Sequence, residues 1–117
     1  MKKMKITAAR RPRPIDMLGE VSDVAYNVGY KMEVDDDFNI TFDITRDEKF
    51  MPSITVKTEL DNGTYYFIPT LRFPVLKQDD MMYADDIEAY IDRWGDVGNM
   101  ITLLNRTSIN PDDYVDK

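Results

Sequence analysis

An Asn-Gly pair at 62–63, set between two runs of alternating apolar and polar residues, constrains this chain more than any other feature. A type I′ turn needs positive φ at both central positions, which Asn and Gly tolerate, and its twist matches the strands it joins. SITVKTEL (53–60) alternates Ile54, Val56 and Leu60 against Thr55, Lys57 and Glu59, and TYYFIPTLRF (64–73) follows the turn. With Asn62-Gly63 as a two-residue loop the register has no freedom. Leu60 must face Tyr65, Thr58 Phe67, Val56 Pro69 and Ile54 Leu71. The apolar members then share one face, whereas a slip of one residue would send them to the other. That other face carries Thr55, Lys57 and Glu59 beside Tyr66, Ile68, Thr70 and Arg72. FNITFDIT (38–45) repeats the pattern with Phe38, Ile40, Phe42 and Ile44. One side of this sheet requires a core and the other tolerates water.

Two amphipathic helices can supply the cover. Pro14 suits a first helical turn, and Leu18, Val21, Ala25 and Val28 step by three and four, with Gly29 as the left-handed residue that closes the helix. Tyr30–Val34 alternates as a short strand, and Asp35-Asp36-Asp37 turns into the next. Phe50 and Met51 are expected to fold inward from an otherwise polar connection. Pro69 cannot donate to a ladder, so its strand is expected at an edge or with a bulge there. Asp85-Asp86-Ile87-Glu88 reads as a capping box with Asp85 at the N-cap. Ile87, Tyr90, Ile91, Trp94, Val97, Ile101 and Leu104 then mark one face, on which Tyr90 and Trp94 are expected to be core. Gly95 and Gly98 either permit close approach to the sheet or break the helix.

The expected architecture is α+β: an antiparallel sheet of three to five strands with two α-helices packed on one face, in α-β-β-β-β-α order. The expected divisions are a basic arm (1–13), in which Lys5–Ala9 could add a short edge strand, a single domain (14–106), and an acidic tail (107–117) with a final helical turn at Asn110-Pro111-Asp112-Asp113.

Charge separates sharply along the chain. Residues 1–13 hold six cations and no acid, so the formal net charge of −7 leaves −13 on residues 14–117. Such a body repels nucleic acid and anionic membrane and attracts basic protein surfaces. No cysteine is present, which excludes disulfides, iron–sulfur clusters and thiolate zinc, and no histidine offers a general base or imidazole ligand. The basic head is interrupted by charges before any apolar core of a signal peptide forms, so a cytoplasmic location is expected.

Catalytic constellations are sparse. Asp35-x-Asp37-x-Asn39 opens like a calcium loop, but Ile40 occupies the glycine position and Arg46 that of the bidentate glutamate, so it reads as a turn. Asp85, Glu88 and Asp92 share a helical face near Asp79 and Asp80, a grouping more often a solvated acidic surface than a Mg²⁺ or Ca²⁺ site. No glycine-rich phosphate loop or nucleophile motif occurs. No enzyme, cofactor or metal is expected, with a carboxylate-dependent hydrolase the least favoured reading.

The helix–sheet–helix order is similar to that of double-stranded RNA-binding domains. Where that family places lysines at the start of its second helix, this chain has Tyr83-Ala84-Asp85-Asp86-Ile87-Glu88, of opposite charge, which argues against phosphate binding. In size, element order and acidity the chain resembles small phage-encoded anti-CRISPR inhibitors, which present carboxylates to nucleic-acid-binding clefts. It also resembles the first part of type III secretion chaperones, which usually continue with two more strands and a helix that 117 residues do not accommodate. Both likenesses are architectural and carry no residue motif. The resulting expectation is a non-enzymatic inhibitor or adaptor that docks acids on a basic protein, plausible contacts being Asp79, Asp80, Asp85, Asp86 and Glu88. The alternative is a homodimeric, chaperone-like or assembly module using the open sheet face with Tyr66 and Ile68, or the edge strand; Arg72 is a further candidate partner contact.

Overall fold

The computed structural model describes residues 12–77 and 83–114. A short helix α1 (Pro14–Met17) turns at Leu18 into α2 (Gly19–Val28). Five strands form an antiparallel meander in chain order: β1 (Tyr30–Val34), β2 (Ile40–Ile44), β3 (Ser53–Asp61), β4 (Thr64–Arg72) and β5 (Ser108–Ile109). Helix α3 (Ala84–Asn105) lies between β4 and β5, and a 3₁₀ turn (Pro111–Tyr114) follows. The α+β architecture, the antiparallel sheet of five strands and the two covering helices are those expected from the sequence; the place of the last strand, after the second helix, is not in the expected order.

The central hairpin has the register the turn dictates, Leu60 opposite Tyr65 through Ile54 opposite Leu71 without interruption. Asn62 and Gly63 take φ of 50° and 82°, the left-handed values a type I′ turn requires. Pro69 pairs with Val56 and no bulge forms. On its other side β4 is joined by β5 only at Tyr65 and Tyr66, so Pro69 lies where β4 is an edge strand.

Both helices cover the same face. Leu18, Val21 and Ala25 from the N-terminal helices meet Met32, Ile40, Ile54 and Phe67 from the sheet and Val97, Met100 and Leu104 from α3. Ile109 is 3% exposed, so the two-residue β5 contributes to that core. Gly29, at φ 107°, closes α2 by donating to the carbonyls of Ala25 and Tyr26 at 3.0 and 3.2 Å. The Asp35 carboxylate accepts from the backbone N–H groups of Asp37 and Asn39, both at 2.9 Å, which makes the acidic run a turn. Those bonds, chiefly from Asn39, hold the Asp35 carboxyl below its usual value.

Three local expectations fail. Tyr83, not Asp85, is the N-cap of α3, and no side chain caps it. The chain is already helical at Ala84, so Asp85 sits in the first turn and its value there is electrostatic, beside the positive end of the helix. Helix α3 also runs unbroken through Gly95 and Gly98, and neither approaches the sheet: a Cβ at either position would meet nothing within 4 Å. Finally, Trp94 is 52% exposed and is not a core residue. The Lys5–Ala9 reading and the rest of the arm through residue 11 lie outside the described residues.

Candidate functional site

Helix α3 presents two apolar registers rather than one. Tyr90, Val97, Met100 and Leu104, spaced by sevens, threes and fours, turn inward, and Asp86 and Arg93 occupy the same register. Tyr83, Ile87, Ile91 and Trp94 form a second stripe, rotated round the helix, with exposures of 67, 43, 61 and 52%. The sequence reading merged the two because seven apolar residues fit a single broad face. Their spread, wider than a core-facing stripe needs, was the available signal.

The inward register at the start of α3 rests on the connection between β2 and β3 instead of on the sheet. The Phe50 ring meets Tyr90 edge-on at 5.5 Å, and Lys49 Nζ donates to Asp86 Oδ1 at 2.6 Å. One turn on, Arg93 Nη1 lies 2.9 Å from Glu48 Oε2. Arg46 bridges onward, 3.5 Å from Glu48 and donating to the Asn27 carbonyl at 2.5 Å. The connection is anchored from below by Tyr30, whose buried hydroxyl donates to the Pro52 carbonyl at 2.6 Å. Burial raises the Tyr30 phenol to about 12, with the Arg93 charge opposing. The Lys49 hydrogen bond lowers the Asp86 carboxyl, against the opposing effect of desolvation.

The predicted contacts therefore divide. Asp79 and Asp80 lie outside the described residues. Asp85 and Glu88 are exposed at the start of α3, followed at steps of four by the exposed Asp92 and Asp96. Asp86 is only 8% exposed and faces Lys49, so it belongs to the scaffold that holds α3 rather than to the open acidic row. Tyr66 and Ile68, 45 and 42% exposed, project from the outer sheet face opposite Glu59 and Lys57. Arg72, exposed at the end of β4, shares with Ser53, Thr55 and Thr70 a shallow depression of about 330 Å³. Because the helices cover the inner face, these three residues stand on the opposite side of the sheet from the acidic row.

Between the apolar stripe and the sheet the chain leaves β4 through Phe73. Its ring stacks on Trp94 at 5.0 Å with planes 8° apart, and lies 5.9 Å from Tyr90. Val75 beyond it is 89% exposed. The stripe is thus bordered by Phe73 on one side, and Glu88, three residues before Ile91, adjoins it on the other. The second depression, about 350 Å³, lies where Met17, Glu20 and Val21 approach Arg106, Ser108 and Tyr114.

Among the described residues no group of three or more histidine, cysteine, aspartate or glutamate side chains could hold a metal ion. Among the described residues the carboxyls with displaced ionisation, Asp16, Asp35 and Asp86, are lowered, which favours charge and is opposite to what a general acid needs. No helix among the described residues is long and apolar enough to cross a membrane. Comparison with known proteins yields no family model, no curated protein and no solved structure that matches the chain.

Proposed function

We propose that this chain is a non-enzymatic protein-binding module that engages a basic protein surface through its acidic helix, in the manner of the phage inhibitors its size and element order resemble. The observation that carries this reading is the row of exposed acids Asp85, Glu88, Asp92 and Asp96 on α3, a helix held in place by ion pairs from the β2–β3 connection. Exposed charges on a rigid element steer association and select partners of opposite sign. A nucleic-acid-binding effector protein is the favoured partner class, because its cleft supplies a dense cationic surface.

The test is capture of partners from a host lysate with the wild-type chain and with an Asp85→Lys/Glu88→Lys/Asp92→Lys variant. Basic partners retained by the wild type, lost on charge reversal and weakened by salt support the reading. Retention of only neutral or acidic partners overturns it.

The second reading, a homodimeric or chaperone-like module, draws on Tyr66 and Ile68 standing together on the outer sheet face and on β1 as an edge strand. A strictly monomeric chain in light scattering at high micromolar concentration removes the dimeric form.

A further inference from the structure

The stripe Tyr83, Ile87, Ile91 and Trp94 is exposed although its neighbours Val97, Met100 and Leu104 on the same helix are completely buried. Exposed apolar residues occurring singly are ordinary, but four at successive turns of one helix, with Phe73 stacked on the last of them, form a patch. It includes a tryptophan and a tyrosine, the side chains that most often anchor interfaces. We infer that this stripe is a docking face for a cationic amphipathic helix, an inference that rests on the binding-module reading and names its contact surface and partner chemistry.

Shape and charge together select that occupant. The eleven residue steps from Tyr83 to Trp94 span ~16 Å of a straight helix, enough for three to four turns of a partner helix. Anchors spaced by four, four and three are those by which one helix packs on another. Phe73, stacked on Trp94, closes one side of the contact. On the other side Glu88, three residues before Ile91, lies where a lysine or arginine at the margin of a partner's apolar face would meet it, and residues 14–117 behind it carry a net −13. That charge opposes the other apolar occupants. A second copy packed stripe to stripe would bring two strongly acidic bodies together, and an anionic membrane would be repelled.

Trp94 is the single tryptophan, so its emission reports directly on this surface. The probe is a synthetic helical peptide of about 15 residues, leucine on one face and lysine on the other, a length that allows a marginally stable helix. Its counterpart has glutamate in place of lysine. The leucine–lysine peptide is expected to move Trp94 emission to the blue and shield it from acrylamide, saturably and less so at high salt, while the leucine–glutamate peptide does neither. Ile91→Asp, at an exposed position, is expected to weaken binding at least about tenfold while leaving the melting temperature nearly unchanged. Absence of any response, an equal response to both peptides, or full retention of binding in Ile91→Asp overturns the inference. So does a Trp94 already shielded in the free protein, with sedimentation telling a second copy from the chain's own residues. If Ile91→Asp leaves lysate partners bound while reversal of the acidic row releases them, the stripe fails and the binding-module reading stands. If neither variant matters, both fall.

Discussion

Helix α3 offers a direct test of which of its apolar residues hold the fold, because Leu104 and Ile91 have similar volumes and opposite environments. Leu104 is completely buried and Ile91 is 61% exposed. Leu104→Ala removes buried methyl groups and leaves a cavity in the core cluster to which Leu104 belongs. Such truncations cost about 2–5 kcal/mol, and a site closed on all sides belongs near 3 or above. At about 4 °C per kcal/mol for a chain between the usual size classes, the melting temperature should fall by roughly 12 °C. Ile91 has about two-fifths of its surface covered, so truncation forgoes less than about 1 kcal/mol of burial and opens no cavity. Alanine is also the better helix former by a few tenths of a kcal/mol. The expected change for Ile91→Ala is below about 0.5 kcal/mol, or roughly 2 °C. Thermal and urea unfolding followed by far-UV circular dichroism measure both variants. A cost above ~1.5 kcal/mol for Ile91→Ala, or below it for Leu104→Ala, would show that the assignment of the two registers is reversed.

The hairpin was legible because one local rule determined it. Asn62-Gly63 permits few turn types, and a period of two converts that turn into a complete register. Gly29 and the Asp35 turn were legible for the same reason, since each requirement is met within five residues. What escaped depended on partners distant in sequence. Asp86 is 37 residues from Lys49, and nothing nearby distinguishes it from the exposed Asp85. The ion pair of Glu48 with Arg93 is equally non-local. The stripe of α3 was read as core because helical periodicity reports that residues share a face, not that anything covers it. The sheet spends its apolar face on α2 and the second half of α3, and the first half of α3 rests on the 46–50 connection. β5 was missed because two residues are too few to show alternation, and its strand character comes from pairing with Tyr65 and Tyr66.

The two classes of glycine should respond in opposite directions. Gly95→Ala, in open space within a helix, should stabilise by about 0.5–1 kcal/mol. Gly29→Ala should destabilise by about 1–3 kcal/mol, since φ is 107° and the new Cβ would lie 3.2 Å from Met51 Cε. Thermal melts decide both, and a stabilised Gly29→Ala would refute the left-handed cap. Asp86→Asn should lower the melting temperature at neutral pH by removing the carboxylate that Lys49 holds below its ordinary value. Because the folded value is the lower one, that difference should be constant above the ordinary carboxylate range and shrink as pH falls below about 4. Persistence of the whole difference at pH 2 would refute the pairing. Tyr30 provides the opposite sign. Its phenol is raised to about 12 by burial, whereas an unfolded tyrosine ionises near the ordinary 10.0. The folded state therefore holds its proton where the unfolded chain has lost it, and stability falls as pH rises from about 10 through 12. Tyr30→Phe should abolish that component of the alkaline loss. At neutral pH it should still cost about 1–3 kcal/mol, because the Pro52 carbonyl, on a fully buried residue, loses its 2.6 Å donor. Ultraviolet difference titration should show one of the seven tyrosines ionising only near pH 12 or with unfolding, and that tyrosine absent in Tyr30→Phe. A Tyr30 component, read as the difference between wild type and Tyr30→Phe, that ionises near pH 10 in the folded protein would mean that its hydroxyl reaches water and that the connection beneath α3 is not anchored as described.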